Sequence, residues 1–279
     1  MQLGATVSLE DAIALGVTAA PIAAEEPQSE AELKAKRAAF SKAGILPVQT
    51  NGYCNLVSTD EKIRRANVVA TRELLRRADI AGARAVVVGG GHRDPAVPED
   101  VFSAHPDNWK PEAVELLAQS CREIVDGLDL QTTRLSIETW VMTPLDSAKS
   151  VRRFLDLVGH KSVGILFDPV NMMNLDRHYR SGEFIAECFD TFGDDIVHVH
   201  AKDTKLIAAQ FTYRMAEAPI GEGQLDFAEL LRQMSRRADD LPLVVEHLNS
   251  FDEYAKAIAH IRGVAAAEGL KFWAPAKAA

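Results

Sequence analysis

Cysteine is scarce in this 279-residue chain: Cys54, Cys121 and Cys188 are its three thiols, and no C-x-x-C pair occurs. An odd count of isolated cysteines excludes a disulfide framework and a thiolate zinc site, and it fits reduced core thiols in a cytoplasmic protein. Long hydrophobic runs are missing too. None approaches the roughly 18 residues that a membrane-spanning helix needs, so no membrane association is expected. The opening MQLGATVSLED has no basic residues ahead of an apolar stretch, which argues against a secretory signal. Positive charge is also short, with 31 Lys and Arg against 40 Asp and Glu, giving −9. A phosphate-backbone surface needs a basic patch, so no nucleic-acid partner is expected. Finally, no low-complexity linker breaks the chain. A single domain over residues 1–279 is the expectation, long enough to build its core without a disulfide or structural metal.

What the chain does have is rhythm. Short apolar segments occur at Leu3–Ser8, Val17–Ala23, Ile45–Thr50 and Arg84–Val88, then within LSIET, GILFDP, IVHVH and LVVEH. Amphipathic stretches lie between them: Glu30–Ala43 after Ser29, Thr59–Ala81, Pro111–Leu128, Ser147–Val158, Glu183–Phe192, Phe227–Arg237 and Phe251–Ala267. In Thr59–Ala81, Ile63, Ala66, Val69, Ala70 and Leu74 follow the helical period. About eight strand–helix units imply parallel strands, because parallel neighbours need a crossover, and this number at this length predicts a closed (β/α)8 TIM barrel. The first unit is compressed, since Leu9–Gly16 allows barely two helical turns.

Four strand candidates of the second half end in side chains suited to a divalent cation: Glu138, Asp168, His200 and Glu246. A parallel barrel gathers the C-terminal tips of its strands into one ring. Side chains on a strand alternate faces, and the helix-facing side is apolar, so Val197 and Val199 are expected outside and His198 and His200 inside. The same count turns Glu138 inward with Ser136, Asp168 with Leu166 and Glu246 with Val244. His198 would lie one layer deeper as a supporting or substrate-side group. Carboxylates plus an imidazole suit Mn2+, Mg2+, Co2+ or Zn2+.

IET at Glu138, FDPVN at Asp168, HVHAKD at His200, P-x-G-x-G-x-x-D-F at Pro219–Phe227 and VVEH at Glu246 together resemble the xylose-isomerase-like TIM-barrel superfamily. That superfamily includes ketose 3-epimerases, inosose dehydratases, C-glycoside deglycosidase catalytic subunits and endonuclease IV. The resemblance implies a metal, Mn2+ foremost, on Glu138, Asp168, His200 and Glu246, with the two glutamates as the acid/base pair. It implies an isomerase or epimerase that takes a proton from the carbon beside the carbonyl of a ketose or keto-glycoside. Alternatives are a lyase (inosose-type dehydration or cleavage of a 3-oxo-C-glycoside), a phosphodiesterase like endonuclease IV, and a non-catalytic carbohydrate-binding subunit. The expected partner is a small sugar, keto-sugar or glycoside, and the alanine-rich helix faces would permit a homo-oligomer or a small partner subunit.

The sequence departs from the epimerase pattern at Pro144, Asn171 and Leu206, where those enzymes carry Glu, His and Arg. Asn171 can still bond a sugar hydroxyl but cannot shuttle protons. His92, after Gly89–Gly91, is a candidate acid/base or substrate contact, or else part of a tight turn with an exposed imidazole. Lys202 shares the parity of His200 and could neutralise an oxyanion, or be a solvated rim residue. Trp140 could wall a sugar ring or pack in its loop. His247 is expected to face the helices. Gly221-Glu222-Gly223 could place backbone amides near a ligand. His105–Trp109 reads as a loop and helix start, with Asp107 or Asn108 near the cap.

Overall fold

The computed structural model describes residues 1–209 and 212–274. In chain order its elements are β1 Gln2–Ala5, α1 Leu9–Leu15, β2 Ala19–Ala20, α2 Glu30–Ala43, β3 Leu46–Pro47, β4 Gln49–Asn51, α3 Glu61–Ala81, β5 Ala85–Gly89, α4 Pro111–Val125, β6 Arg134–Glu138 and α5 Ala148–Val158. There follow β7 Val163–Phe167, α6 Leu175–Tyr179, α7 Ser181–Phe192, β8 Ile196–Ala201, β9 Asp203–Ala209, β10 Thr212–Ala218, α8 Phe227–Ser235, β11 Pro242–Val245 and α9 Phe251–Ala267.

The larger sheet runs β3-β2-β1-β11-β8-β7-β6-β5-β4, with every pairing parallel. Its two ends are one stretch of chain. β3 and β4 flank Val48, whose N–H donates to Ala20 O at 2.9 Å, while Arg84 N–H donates to Pro47 O at 2.8 Å on the other side. The ring therefore closes as eight staves with the helices outside, which is the expected TIM barrel.

Alternation along each strand sorts the core into two zones. Val86, Val88, Leu135, Ile137, Ile165 and Phe167 face the helices and join the outer cluster with Phe154, Phe189 and Phe192. Ala85, Val87, Leu166 and Val197 fill one part of the barrel interior, and Ala19, Val48 and Val244 another. Val197 corrects the parity expectation. The β7–β8 register slips between Ile165 and Leu166, so Leu166 sits opposite His198, and the extra residue turns Val197 inward. Beyond the bulge the alternation resumes, with Val199 in the outer cluster.

Helix starts follow local chemistry. The Ser29 hydroxyl accepts from the Glu32 N–H while the Glu32 carboxylate accepts from the Ser29 N–H, a reciprocal cap that opens α2 where the sequence places it. α1 has seven residues, matching the compressed first unit. At His105–Trp109 the cap expectation is corrected: His105 caps a 3-10 turn, α4 starts at Pro111 with no side-chain cap, and Asn108 is buried.

One element has no counterpart in the sequence reading. β9 and β10 form an antiparallel hairpin apart from the barrel. At its foot the buried Asp203 carboxylate accepts from four backbone N–H groups: Thr204 at 2.8 Å, Gly221 and Gly223 at 3.0 Å, and Leu225 at 3.1 Å. The amides of the Gly221–Gly223 loop are thereby committed to the protein itself, which corrects their expected role toward a ligand. Gly223 is required by space, because a Cβ there would lie 2.1 Å from Asp203 Oδ1. Asp203→Asn turns one of the two accepting oxygens into a donor that faces N–H groups. We expect it to lower unfolding stability by about 2 kcal/mol, read by denaturant melts.

Candidate metal centre at the barrel mouth

Four neighbouring staves, in the sheet order β11-β8-β7-β6, each deliver one side chain to the C-terminal mouth. Glu138 closes β6, Asp168 follows β7, His200 is near the end of β8, and Glu246 follows β11. One ligand atom from each lies within 4.8 Å of all the others, and all four side chains are buried. His200 Nδ1 is 2.8 Å from Glu246 Oε1, 3.6 Å from Glu138 Oε1 and 3.9 Å from Asp168 Oδ2.

Three carboxylates out of water are costly unless positive charge meets them. Lys202, 4% exposed, is the first source. Its Nζ lies 2.7 Å from Glu246 Oε1 and 2.9 Å from Asp168 Oδ2. Burial disfavours the lysine cation, but Asp168, Glu246 and Glu138 outweigh burial and hold its pKa above the ordinary lysine value. Burial likewise opposes protonation of His200, yet Glu246 and Glu138 prevail and raise it to about 10. Burial raises the Asp168 pKa, with Lys202 opposing. For Glu246 the balance is reversed: burial pushes upward, but His200 and Lys202 carry its pKa below the usual carboxylate range.

Even so, Asp168 Oδ2, His200 Nδ1 and Glu246 Oε1 are buried without a hydrogen bond, because their close ionic neighbours lie out of line for one. A group of carboxylate oxygens and an imidazole nitrogen converging this closely suits a divalent cation. Glu138, Asp168, His200 and Glu246 would hold it.

The residues behind this cluster fix its orientation. Gln49 on β4 is buried, and its side-chain N–H donates to Asn51 Oδ1 at 3.2 Å. Its oxygen therefore accepts, from His198 Nε2 at 2.9 Å and His200 Nε2 at 3.1 Å. Both rings carry a proton on Nε2; the Glu246 and Glu138 charges favour a second proton on His200 Nδ1, which a divalent cation would displace to take that lone pair. Burial keeps the His198 pKa well below the ordinary histidine value, so this ring is neutral. Glu138 is held at both oxygens: Tyr53 OH donates to Oε2 at 2.7 Å and Asn171 Nδ2 to Oε1 at 2.9 Å. Burial, then the Glu138 charge, keep the Tyr53 phenol protonated by raising its pKa. Asn171 also accepts from Lys202 Nζ at 3.1 Å, tying the lysine to the first glutamate.

Other expected residues fall elsewhere. His92 is 1% exposed. Its Nε2 bonds the Asp100 carbonyl oxygen at 2.8 Å and its Nδ1 accepts from the Asp94 N–H at 3.2 Å. With both nitrogens committed to its own loop, His92 is neither an exposed imidazole nor a free acid, which corrects the expected acid/base role. Trp140 packs at a tilt against Phe102 with ring centroids 4.5 Å apart, and Phe102 continues to Tyr53 at 5.8 Å, an aromatic wall next to Glu138. His247 does not face the helices. The strand ends at Val245, and His247 takes φ 60°, leaving its half-exposed ring to pair with Glu217 on β10 at 3.0 Å. Leu206 lies on β9, opposite Met215.

Gln49, Tyr53 and Glu217 were not found by sequence reasoning. Only parity offered a signal for Gln49, one residue past Val48 in a stretch that reads as plain strand. Gln49→Met keeps the volume but removes the acceptor shared by His198 and His200. Metal affinity should fall by roughly tenfold to a hundredfold in an equilibrium titration, with the fold retained by circular dichroism.

The family model described as "Xylose isomerase-like TIM barrel" matches residues 9–264. Endonuclease IV from Thermus thermophilus superposes with a TM-score of 0.73 at 18% identity, covering 96% of this chain and 100% of that one. D-psicose 3-epimerase from Clostridium cellulolyticum, solved with D-tagatose, gives 0.69 at 16% identity over 95% and 99%. A xylose isomerase-like TIM barrel protein from Mycobacterium smegmatis, in complex with magnesium, gives 0.66 at 18% identity over 92% and 87%. No curated protein matches the sequence. At these identities the structural likeness speaks for the fold, while the family match spans nearly the whole chain. The chain belongs to the xylose isomerase-like TIM barrel family.

Proposed function

We propose that this protein is a divalent-metal-dependent sugar isomerase or epimerase that acts by proton abstraction beside the carbonyl of a ketose or keto-glycoside. The observation that carries this reading is the buried Glu138–Asp168–His200–Glu246 group with Lys202 and Asn171 against it. Manganese is the metal we propose; magnesium, cobalt and zinc satisfy the same donors. When bound, the cation polarises the substrate carbonyl and its neighbouring hydroxyl, which lowers the cost of removing a proton between them.

The chain's own residues do the rest. Glu138 and Glu246 sit at the two ends of the four-stave arc, with Asp168 and His200 between them, so they approach a substrate in the mouth from two sides. One glutamate takes the proton from the carbon as an enediolate forms. The other glutamate, once it has taken up a proton from solvent, delivers it to the opposite face of that carbon, giving an epimer; delivery to the former carbonyl carbon by the first glutamate, with the hydroxyl proton passing to the former carbonyl oxygen, gives an isomer. Tyr53 and Asn171 hold Glu138 in place, and the Lys202 ammonium supplies positive charge where the oxygen becomes anionic. Trp140 and Phe102 offer an apolar face to the sugar ring.

The lyase reading uses the same first step but needs an acid at the leaving group. His92 was the candidate, and its two backbone bonds weigh against it. The phosphodiesterase reading is disfavoured by the net charge of −9.

Chelator-treated protein should be inactive, and Mn2+ should restore incorporation of solvent deuterium beside the carbonyl in D2O, with no loss of water or aglycone by NMR and mass spectrometry. Glu138→Gln and Glu246→Gln should each slow exchange by about 100-fold or more. Equal behaviour before and after Mn2+ contradicts the proposal, and loss of mass points to the lyase.

A further inference from the structure

Between the foot of the β9–β10 hairpin and the start of α9 lies a slot of about 190 Å3. Lys202 and Glu246 border its inner end, and Glu217 and His247 face each other across it. It leads from solvent to the proposed reaction centre.

In TIM barrels that act on phosphorylated substrates, the phosphate commonly sits between the loops after the seventh and eighth strands, against backbone N–H groups and a helix N-terminus. Here those strands are β8 and β11, and this slot lies between the loops that follow them. At one wall the N–H groups are already taken by a carboxylate of the chain. Asp203 occupies the amides of Gly221, Gly223 and Leu225. At the other wall, α9 is capped by Ser250, and Glu253 Oε2 accepts from the Asn249 N–H at 2.7 Å. Lys202 is spent on Asp168 and Glu246. Four carboxylates, Asp203, Glu217, Glu246 and Glu253, line the slot against Lys202 and His247, which are each already paired with a carboxylate, so no surplus positive charge remains for a phosphate dianion.

What the slot offers is hydrogen bonding from groups whose charges are already paired. The pair from Glu217 to His247 presents a carboxylate acceptor and an imidazole, the alternation of acceptor and donor that vicinal hydroxyls match. His247 is the sole non-glycine residue at positive φ among the described residues. That conformation is what lets the residue after Glu246 turn its ring across the slot toward the hairpin, and uncommon backbone of this kind gathers at ligand sites.

We propose that this slot recognises the unphosphorylated, hydroxyl-bearing end of the substrate, that Glu217 and His247 are the residues that read it, and that sugar phosphates are rejected. The inference rests on the proposed sugar chemistry of the neighbouring centre and narrows its substrate class to free sugars and keto-glycosides.

The test uses full-length, Mn2+-loaded protein and matched pairs of compounds: ketoses and 3-keto-glycosides, each with its phosphate ester. Binding is followed by saturation-transfer NMR and solvent exchange by deuterium incorporation. Unphosphorylated members should bind at least roughly tenfold tighter than their esters. Glu217→Gln and His247→Asn should each weaken that binding by roughly tenfold while leaving metal content and melting temperature unchanged. Asn tolerates the left-handed backbone, so His247→Asn separates the loss of the imidazole from a folding defect. Esters that bind as tightly as the parent sugars overturn the inference. So does a complete lack of binding by the unphosphorylated compounds, or unchanged binding in both variants. Selective binding without any deuterium exchange leaves the slot assignment standing and contradicts the isomerase reading instead.

Discussion

Everything at the mouth of this barrel depends on how the buried charge of Glu138, Asp168 and Glu246 is compensated. Around one nitrogen of His200, three carboxylates lie between 2.8 and 3.9 Å. Unpaired anions in such a place cost several kcal/mol each, so the fold is bound to supply positive charge. The Lys202 ammonium supplies part of it, and the converging donors suit a divalent cation that would supply the remainder. Structure and chemistry meet here, because a centre that is costly without a cation is also one that can stabilise negative charge developing on a sugar.

The scaffold meets this requirement by geometry. Four adjacent parallel staves end side by side, so residues far apart in sequence become neighbours at the strand ends or one residue beyond them. Behind them, Gln49 fixes the tautomers of two histidines through one oxygen. In front, Tyr53 and Asn171 hold both oxygens of Glu138. Asp203 fastens the loop beside the mouth and, in doing so, fills with carboxylate a place that could have held an anion.

Much of this was legible in the sequence, for definite reasons. Apolar alternation with period two identifies Ser136 and Glu138, Leu166 and Asp168, and Val244 and Glu246 as inward pairs, and the interior clusters contain Leu166 and Val244 as that alternation requires. Where the backbone departs from regularity the reading lapsed. A bulge turned Val197 inward, and the left-handed backbone at His247 released its ring from strand alternation. The β9–β10 hairpin was missed because its strands stand outside the barrel and β10 is mostly exposed, so it lacks the continuous apolar run that marks the staves. Tyr53 and Gln49 were hidden for another reason. Their roles come from partners far away in sequence, such as Glu138 and His198, which no local pattern encodes. His92 shows the converse: a glycine-flanked histidine at the mouth looked chemically poised, yet its loop consumes both nitrogens.

The most direct test of the central claim is anomalous diffraction from a crystal grown with Mn2+. The account predicts one strong peak per chain within coordination distance of Glu138, Asp168, His200 and Glu246, with Lys202 Nζ retained beside the centre. A map with no peak there, or with manganese held only at other residues, would contradict it.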